Sequence, residues 1–433
     1  MRRSLLILAF LSSRLIAADP PQWSSVDAIL ENAVASRVFP CVSAAVLNST
    51  TGSILYSHSS GKLVYDDEPT PPNNNGSNPN ADFHSTLFDM ASLTKILGPT
   101  TVAALLYESG DIDLNALIMS PMLLGPAFSN SGKETITVRH LLLHAAGFPP
   151  DPSPNFNNIS FGCPNSQAPH PSLDFTCSEK ILTAIYNQTL ENPPGTVYLY
   201  SDLSMMTLMF ALGRYLTLFR PAWAPASSAG PVCEAALKNN HAAAAPLSVQ
   251  YLCAFNSFWR INVSAAIGFS PATGFLPLNY ASVAPTWNDT DYRNTQLQGV
   301  VSDENSYALG GIAGHAGIFA SGADAALFLA AWSPSGRFLS PQTITLFTSI
   351  ANEPPGSPRA LGWSTESDSY AGCAPMPAIT AYHTGYTGTL LCLGQNYSTL
   401  LLAARVYPNK TANVDEIHTA RQAFNAAVAN VLV

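Results

Sequence analysis

Ser92-Leu93-Thr94-Lys95 is the stretch from which the fold and the chemistry of this chain can be worked out. It is typical of the first turn of a helix, which we expect to run toward Glu108. Within that turn a serine and a lysine share one face, with Cβ atoms about 5–6 Å apart. This spacing suits a hydroxyl nucleophile beside an amine base. Pro99 predicts a kink just past the lysine, because proline cannot donate a helical hydrogen bond.

A second copy of the same pattern shows that the spacing alone proves little. At average residue frequencies, S-x-x-K should occur about once or twice in a chain of this length. Ser59-Ser60-Gly61-Lys62 follows an apolar run and contains a glycine, so it predicts a strand end or a turn rather than a site. Ser92 and Lys95 therefore need support from elsewhere in the chain.

The composition indicates a large globular protein without affinity for nucleic acid. The 433 residues are 47% hydrophobic and 11% charged, which allows a sizeable core and excludes a disordered chain. The formal net charge is −9 and no basic cluster occurs, so nucleic acid is not an expected partner. The residues leave the oligomeric state open.

The first residues and the glycosylation signals predict an exported protein. Residues 1–18 have a basic start, a short apolar run and a small-residue end, as secretory signal peptides do. The apolar run is far shorter than the roughly 20 residues of a membrane span, so we predict a secreted or lumenal protein without one; an uncleaved anchor is the alternative. Eight sequons predict surface positions of a glycoprotein: Asn48, Asn75, Asn158, Asn187, Asn262, Asn288, Asn396 and Asn409.

Seven cysteines follow the predicted signal, and an exported protein can oxidise them. Cys163 with Cys177 and Cys233 with Cys253 are the local candidate pairs, and Cys373 with Cys392 is a possible pair across neighbouring strands; the sequence leaves the connectivity open. The odd cysteine must be free, buried or intermolecular. No Cys/His spacing typical of zinc sites occurs, so we predict no metal role for these thiols.

Strand-like runs at both ends of the chain enclose a helical middle. Cys41 to Leu47 and Ser53 to Ser57 predict a hairpin around Thr51-Gly52. Further strands are predicted at Leu361–Trp363, Ala378–Thr384, Thr389–Gly394 and Leu400–Val406. Helices are predicted at Val26–Val38, Ile136–Leu143, Glu179–Gln188, Ser201–Leu216, from Ser321 to Trp332, and at Val414–Val428.

This order predicts an α+β fold, in which an antiparallel sheet from both chain ends, flanked by helices, packs on an inserted all-helical subdomain. One domain would span residues 19–433 after the signal at 1–18. Its α/β part would cover about 22–110 and 345–433, and its helical part about 111–344. A Pro/Ala-rich insertion is predicted at about 217–255.

Two further segments offer chemistry. Tyr200-Ser201-Asp202 lies between Pro-Pro-Gly and a predicted helix. His383-Thr384-Gly385 ends a predicted strand, where a glycine would let a substrate approach closely.

Three other patterns argue against competing kinds of site. His140 and His144 have the spacing of zinc ligands on a helix, but Leu141 stands where a metalloprotease needs glutamate, so we interpret both as structural. The turn Gly310–Gly317 lacks the Lys-Ser/Thr of a phosphate loop and is interpreted as a packing feature. No G-x-S-x-G occurs, which argues against an α/β-hydrolase.

Six segments together resemble the serine β-lactamase and penicillin-binding protein superfamily, in its class C and esterase-like branch. They are FDMASLTK, TVRHLLLHAAGFPPD, PPGTVYLYSDL, DENSYALGGIAGHAGIFASGADAALF, YHTGYTGTLL and ARVYP, and they cover most of the chain. Each is weak alone, whereas the set in this order is specific. The resemblance implies an α/β domain packed on an all-helical domain, with the site between them.

The resemblance also implies a role for each matching residue. Ser92 would be the acylating nucleophile, Lys95 would help to deprotonate it, and Tyr200 would share the proton transfer. His383-Thr384-Gly385 would be the third motif, and the backbone N–H groups of Ser92 and Tyr386 would form the oxyanion hole. Each such donor is worth ~3–4 kcal/mol. A lysine buried beside another positive group would have a lowered pKa and supply neutral amine.

Two departures from the family pattern bear on the substrate. Asp202 replaces an asparagine; a carboxylate there could pair with Lys95, raise the pKa of that lysine and weaken it as a base. His383 stands where many members have lysine, which weakens an anchor for a substrate carboxylate and makes it pH-dependent.

We therefore predict a secreted serine hydrolase that uses no cofactor or metal and forms an acyl-enzyme on Ser92. Its substrate would be a small molecule or peptide with an ester, amide or lactam bond. An esterase or peptidase fits the two departures better than a true β-lactamase does. The alternative is an inactive homologue that binds an acyl or peptide ligand in the same cleft.

Overall fold

In the computed structural model, strands from both chain ends enclose a mostly helical middle. The structure describes residues 21–71, 74, 76–163, 173–238, 245–334, 336–365, 372–376 and 378–432. The predicted signal peptide and the sequon at Asn75 lie outside these residues.

The helices and strands have the following bounds. The helices are α1 (Ser24–Ala35), α2 (Thr101–Glu108), α3 (Val138–Leu142), α4 (Ser178–Asn187), α5 (Asp202–Phe219), α6 (Pro231–Lys238), α7 (Leu247–Trp259), α8 (Ala265–Ile267), α9 (Glu304–Ala308), α10 (Gly322–Ala331), α11 (Pro341–Thr348) and α12 (Val414–Leu432). The strands are β1 (Cys41–Asn48), β2 (Ile54–Gly61), β3 (Phe88–Asp89), β4 (Gly274–Phe275), β5 (Asn288–Asp289), β6 (Thr295–Gln296), β7 (Ile318–Ala320), β8 (Ile379–Thr384), β9 (Leu390–Gly394) and β10 (Tyr397–Ala403).

The main sheet joins the two ends of the chain. Its strand order is β2-β1-β10-β9-β8 and every neighbouring pair is antiparallel. Strand β1 is buried on both faces, since Val42 and Val46 face a core shared with α1 and α12, whereas Ala45 and Leu47 face the larger core. Helix α10 packs on that second face. The predicted α+β fold is confirmed.

Helices α5 and α7 form the centre of the helical part. Thirteen of the 18 residues of α5 are buried, as its mostly apolar sequence requires. The two helices cross closely at Gly213, because a Cβ there would overlap the carbonyl oxygen of Tyr251. The first residue of α5, Asp202, lies at the candidate site.

Two short sheets, one predicted strand and the bounds of β10 differ from the sequence prediction. Strands β3, β7 and β4 form a three-stranded sheet, and β5 pairs with β6; strands of two or three residues are too short to show an alternating pattern. The predicted strand Leu361–Trp363 is wrong: Gly362 has a φ of 84° and turns against Thr100. Strand β10 begins and ends three residues earlier than predicted.

The covalent and surface features match an exported chain. Cys163–Cys177, Cys233–Cys253 and Cys373–Cys392 are bonded as predicted, and Cys41 is free and buried. Among the seven sequon asparagines that the structure describes, none is buried. Within the described residues, no helix is long and apolar enough to cross a membrane.

Candidate active site

Ser92 lies on a strained turn at the start of a kinked helix. The 3-10 turn Ala91–Leu93 follows β3, and Ala91 has a φ of 46°, a left-handed conformation that costs a non-glycine residue about 1–2 kcal/mol. The buried Asp89 carboxylate holds this turn, accepting from the Ala91 N–H at 2.9 Å. A π-helical turn, Ile96–Thr100, follows with non-helical angles at Gly98, so the predicted kink past Lys95 is confirmed.

Lys95 is a fully buried amine between a hydroxyl and a carboxylate. Its Nζ donates to Ser92 Oγ at 2.8 Å and lies 2.7 Å from Asp202 Oδ1. Burial is the largest single effect on the pKa of Lys95 and lowers it, but Asp202 and Tyr200 together raise it above the ordinary value. The expectation of a lowered lysine pKa is therefore wrong, because the nearest charge is a carboxylate. The expectation that Asp202 pairs with Lys95 and raises its pKa is confirmed.

Tyr200 is held beside Lys95 by the loop that follows α3. The ring of His144 lies 4.5 Å from the Tyr200 ring, and Lys95 Nζ lies 4.8 Å from the Tyr200 ring centroid. His144 Nδ1 accepts from the Ser201 N–H at 3.1 Å. Burial lowers the pKa of His144 well below 6.5, so its imidazole is neutral. These contacts explain how His144 fixes the position of Tyr200.

The turn between β8 and β9 is bonded to the segment that carries Ser92. Thr387 Oγ1 donates to the Asp89 carbonyl at 2.7 Å, and Thr389 Oγ1 to the Met90 carbonyl at 3.2 Å. A Cβ on Gly385 would collide with Thr389 Oγ1 and with that Met90 carbonyl, so the protein's own packing requires a glycine here. The role of Gly385 toward a substrate stays a prediction.

Tyr386 follows Gly385 at this turn, and its side chain is exposed. Its carbonyl accepts from Arg405 Nε at 3.0 Å, which fixes the peptide on its C-terminal side. An oxyanion hole built from the N–H groups of Ser92 and Tyr386 requires such a rigid link between the two segments. The role of both groups stays a prediction.

His383 is a buried, neutral imidazole on β8, with the half-buried Thr384 beside it. Its Nδ1 lies 2.9 Å from the Thr384 carbonyl and its ring centroid 6.2 Å from that of Tyr200. Burial, followed by the charges of Arg359 and Lys95, lowers the pKa of His383 well below 6.5. The expectation of an anchor that titrates near neutrality is therefore wrong: His383 stays uncharged at physiological pH.

Two residues to which the sequence analysis gave no role complete the site. His315 is 1% exposed, its Nε2 lies 2.8 Å from Asp303 Oδ1, and its carbonyl accepts from Lys95 Nζ at 3.3 Å. His315 lies on the turn Gly310–Gly317, where a Cβ on Gly314 would overlap the Met205 carbonyl of α5. The turn is thus a packing feature that also carries a site residue. The sequence could have indicated both residues, because this aspartate and this histidine lie in one of the matching segments, DENSYALGGIAGHAGIFASGADAALF.

Asp202, Asp303 and His315 have the spacing of metal ligands, because one potential ligand atom of each lies within 4.8 Å of the others. The charges do not fit a cation. Lys95 already pairs with Asp202 and His315 already pairs with Asp303, so a divalent ion would lie beside a buried ammonium group. The absence of a metal role stays a prediction.

Comparison with known proteins agrees with this fold. The family model described as Beta-lactamase matches residues 26–217. A putative D-alanyl-D-alanine carboxypeptidase of Salmonella enteritidis is 26% identical over 330 residues, which are 71% of this chain and 66% of that protein. This chain thus spans slightly less than two thirds of the length of that relative.

Solved structures of low identity share the fold. Unliganded simvastatin synthase (LovD) from Aspergillus terreus superposes with a TM-score of 0.61 at 17% identity, covering 95% of this chain and 98% of the other. A class C β-lactamase from Rhodobacter sphaeroides gives 0.59 at 15% identity, covering 95% and 100%. The chain has the β-lactamase/transpeptidase fold, and its resemblance to the serine β-lactamase and penicillin-binding protein superfamily is confirmed.

Proposed function

We propose that this protein is an exported serine hydrolase that forms an acyl-enzyme on Ser92 and prefers esters or small amides to β-lactams. The observation that carries the proposal is the 2.8 Å hydrogen bond from the fully buried Lys95 Nζ to Ser92 Oγ, with the Tyr200 ring alongside. A buried amine within reach of a hydroxyl is the arrangement that activates a serine nucleophile.

Proton transfer requires that Lys95 first give up a proton. Its raised pKa favours the ammonium form, and Asp202 Oδ1 at 2.7 Å is the nearest acceptor. Neutral Lys95 then takes the Ser92 proton as Oγ bonds to the substrate carbonyl carbon. The alkoxide or amine leaving group departs with a proton from Lys95 or Tyr200. Water hydrolyses the acyl-enzyme, which releases a carboxylic acid and restores the serine.

The preference for uncharged leaving groups rests on His383. Penicillins and D-Ala-terminated peptides carry a carboxylate that a lysine at this position would neutralise. A buried imidazole that stays uncharged supplies no such counter-charge. Substrates without this carboxylate are unaffected by a histidine in place of lysine. Their turnover should therefore be higher than that of substrates that carry the carboxylate.

Export is the second part of the proposal. Three disulfides and the surface positions of the described sequons support an oxidising, glycosylating route. Small-molecule or peptide substrates are the partners that a site of this kind takes.

One observation favours an inactive ligand-binding protein as the second candidate. An ammonium group on Lys95, held by Asp202, cannot accept the serine proton. Only if the proton moves to Asp202 does the site become a catalyst.

Labelling with a fluorophosphonate, followed by intact mass measurement, separates the two candidates. We expect one adduct on wild type, none on Ser92→Ala, and an unchanged adduct on Ser59→Ala, which alters the matching S-x-x-K copy. Short p-nitrophenyl esters should then turn over faster than a chromogenic cephalosporin. Absence of a Ser92-dependent adduct would exclude the enzyme, and faster cephalosporin turnover would exclude the ester preference.

A further inference from the structure

The Tyr386 side chain is a large aromatic group that stays exposed beside the candidate active site. The residue is 48% exposed, although its main-chain carbonyl is held by Arg405. It directly follows Gly385, where a Cβ would lie 3.4 Å from the Cβ of Ala91. The Tyr386 side chain therefore begins one residue from the point where the β8–β9 turn touches the turn that carries Ser92.

Three neighbours hold the Tyr386 ring in one orientation. Its hydroxyl donates to the Lys410 carbonyl at 3.1 Å. The guanidinium carbon of Arg405 lies over the ring, 4.6 Å from its centroid. Trp287 meets the ring at an interplanar angle of 85°, with the two centroids 6.4 Å apart. A side chain that is already fixed in this way loses little further freedom when a ligand packs against it.

These neighbours are themselves anchored in the fold. Lys410 pairs with Glu304 at the start of α9, and its Nζ lies 4.9 Å from the Trp287 ring centroid. Trp287 and Arg405 are each 4% exposed. Of the two rings in this group, Tyr386 is thus the one that presents a large surface to solvent.

We propose that the Tyr386 ring is a stacking surface for a flat aromatic group of the substrate, so that aryl-substituted esters are preferred to saturated esters of equal size. The proposal rests on the function proposed above and adds the substrate class. Ring pairs stabilise beyond the area that they bury, which corresponds to about two- to tenfold in rate or affinity. A saturated ring of the same carbon skeleton has no π face, so burial of apolar area alone gives it no disadvantage.

Two pairs of esters distinguish an aromatic acid from an aromatic alcohol. Vinyl phenylacetate and vinyl cyclohexylacetate share a leaving group and differ in the ring of the acyl group. Benzyl acetate and cyclohexylmethyl acetate share the acyl group and differ in the ring of the alcohol. For each pair, the ratio of kcat/KM, aromatic over saturated, is compared between variants, so that differences in intrinsic reactivity cancel.

Three variants test the stacking surface. At least one of the two ratios should fall by about three- to tenfold in Tyr386→Leu. Tyr386→Phe keeps the ring and loses the hydroxyl bond to Lys410, so its ratios should stay within about twofold of wild type. Phe219→Leu removes another exposed ring, at the end of α5, and should leave both ratios unchanged.

Three results of this comparison would overturn the stacking surface. In the first, neither ratio moves in Tyr386→Leu. In the second, the ratios fall equally in Phe219→Leu, which would mean that the loss is not specific to Tyr386. In the third, Tyr386→Phe falls as far as Tyr386→Leu, which would assign the effect to the hydroxyl group.

Binding to the inactive Ser92→Ala variant separates failure of this proposal from failure of the proposed function. Titrations of the same four esters, followed by ligand-observed NMR, give dissociation constants without turnover. We expect tighter binding of the aromatic member of at least one pair, and loss of that preference when Tyr386→Leu is added. If wild type forms no Ser92 adduct but this preference is present, the enzyme is overturned and the stacking surface remains. If esters are hydrolysed and neither ratio depends on Tyr386, the stacking surface is overturned and the enzyme remains.

Discussion

At the scale of single residues, the charge of Lys95 is decided by groups from distant parts of the chain. Burial alone would favour the neutral amine, and Asp202 reverses that preference. His383 shows the opposite outcome, because it is buried beside Arg359 and Lys95 without a carboxylate to hold a proton. Two buried basic groups of one site thus take different charges, because a carboxylate lies against one and cationic groups lie near the other.

Two substitutions of Asp303 separate the stability contributed by its charge from the stability contributed by its N-cap hydrogen bond. Asp303→Asn keeps a good N-cap but removes the ion pair with His315, whereas Asp303→Ala removes both. We expect Asp303→Asn to lower the free energy of unfolding by about 1.5–3 kcal/mol near pH 6. Asp303→Ala should cost about 1 kcal/mol more. Urea denaturation at several pH values measures both.

The pH dependence of this loss has a definite sign. The pKa of Asp303 is lowered, chiefly because His315 outweighs burial, so its contribution is present above the unfolded value near 4 and is lost at lower pH. The pKa of His315 is raised, so its contribution is present below 6.5 and is lost as pH rises through the folded value. The effect of Asp303→Asn should be larger at pH 6 than at pH 9. An equal loss at both would show that no ion pair forms.

At the scale of elements, α5 connects the site with the helical core. Its first turn carries Asp202, its Met205 carbonyl lies against the turn that carries His315, and its Gly213 lies against α7. One helix therefore sets the distance between the acidic and the histidine-bearing parts of the site. The continuous burial of residues 203–213 leaves this helix little freedom to shift.

Gly314, which contacts α5, and Gly213, which belongs to it, give a matched test of whether the position of the His315 turn controls activity. Gly314→Ala would push the His315 turn away from Met205, and Gly213→Ala would push α7 away at Tyr251. We expect each to lower the free energy of unfolding by about 1–3 kcal/mol. At a temperature where both are folded, only Gly314→Ala should lose ester turnover. Equal loss of activity in Gly213→Ala would show that the turnover reports general destabilisation.

The same elements show how far the sequence could be interpreted. The hairpin of β1 and β2, the start of α5 and the kink at Pro99 follow from local patterns, and the structure contains them. Ser92, Lys95, Tyr200 and Asp202 were singled out from motif spacing and lie together. The sign of the His383 pKa shift was not predictable, because it depends on which charges burial brings near, whereas the raised pKa of Lys95 was foreseeable from the carboxylate at Asp202. The packing of Gly385 against Met90 was also not foreseeable, since Met90 is distant in sequence.

At the scale of the whole molecule, two of the three disulfides lie in the helical part of the chain and one, Cys373–Cys392, ends on strand β9 of the sheet. Strand β1 pairs with β10 and so ties the two chain ends together, whereas Cys163–Cys177 and Cys233–Cys253 close loops in the helical part. Loops of 14 and 20 residues correspond to about 3 kcal/mol each in the chain-entropy account. The helical part, which has two of these bonds, should therefore depend more on oxidation than the sheet, which has one.

Counting thiols tests this arrangement in the intact protein. Burial raises the pKa of Cys41 to about 12, so its thiol is unreactive while β1 stays in the sheet. Iodoacetamide should label no cysteine in the native protein, Cys41 alone in denaturant, and all seven after reduction. Cys233→Ser with Cys253→Ser should lower the free energy of unfolding by about 3 kcal/mol. The matched removal of the free thiol, Cys41→Ala, should leave the disulfides intact. Labelling of more than one cysteine in denaturant without reductant would contradict the three bonds, and with them the oxidising route.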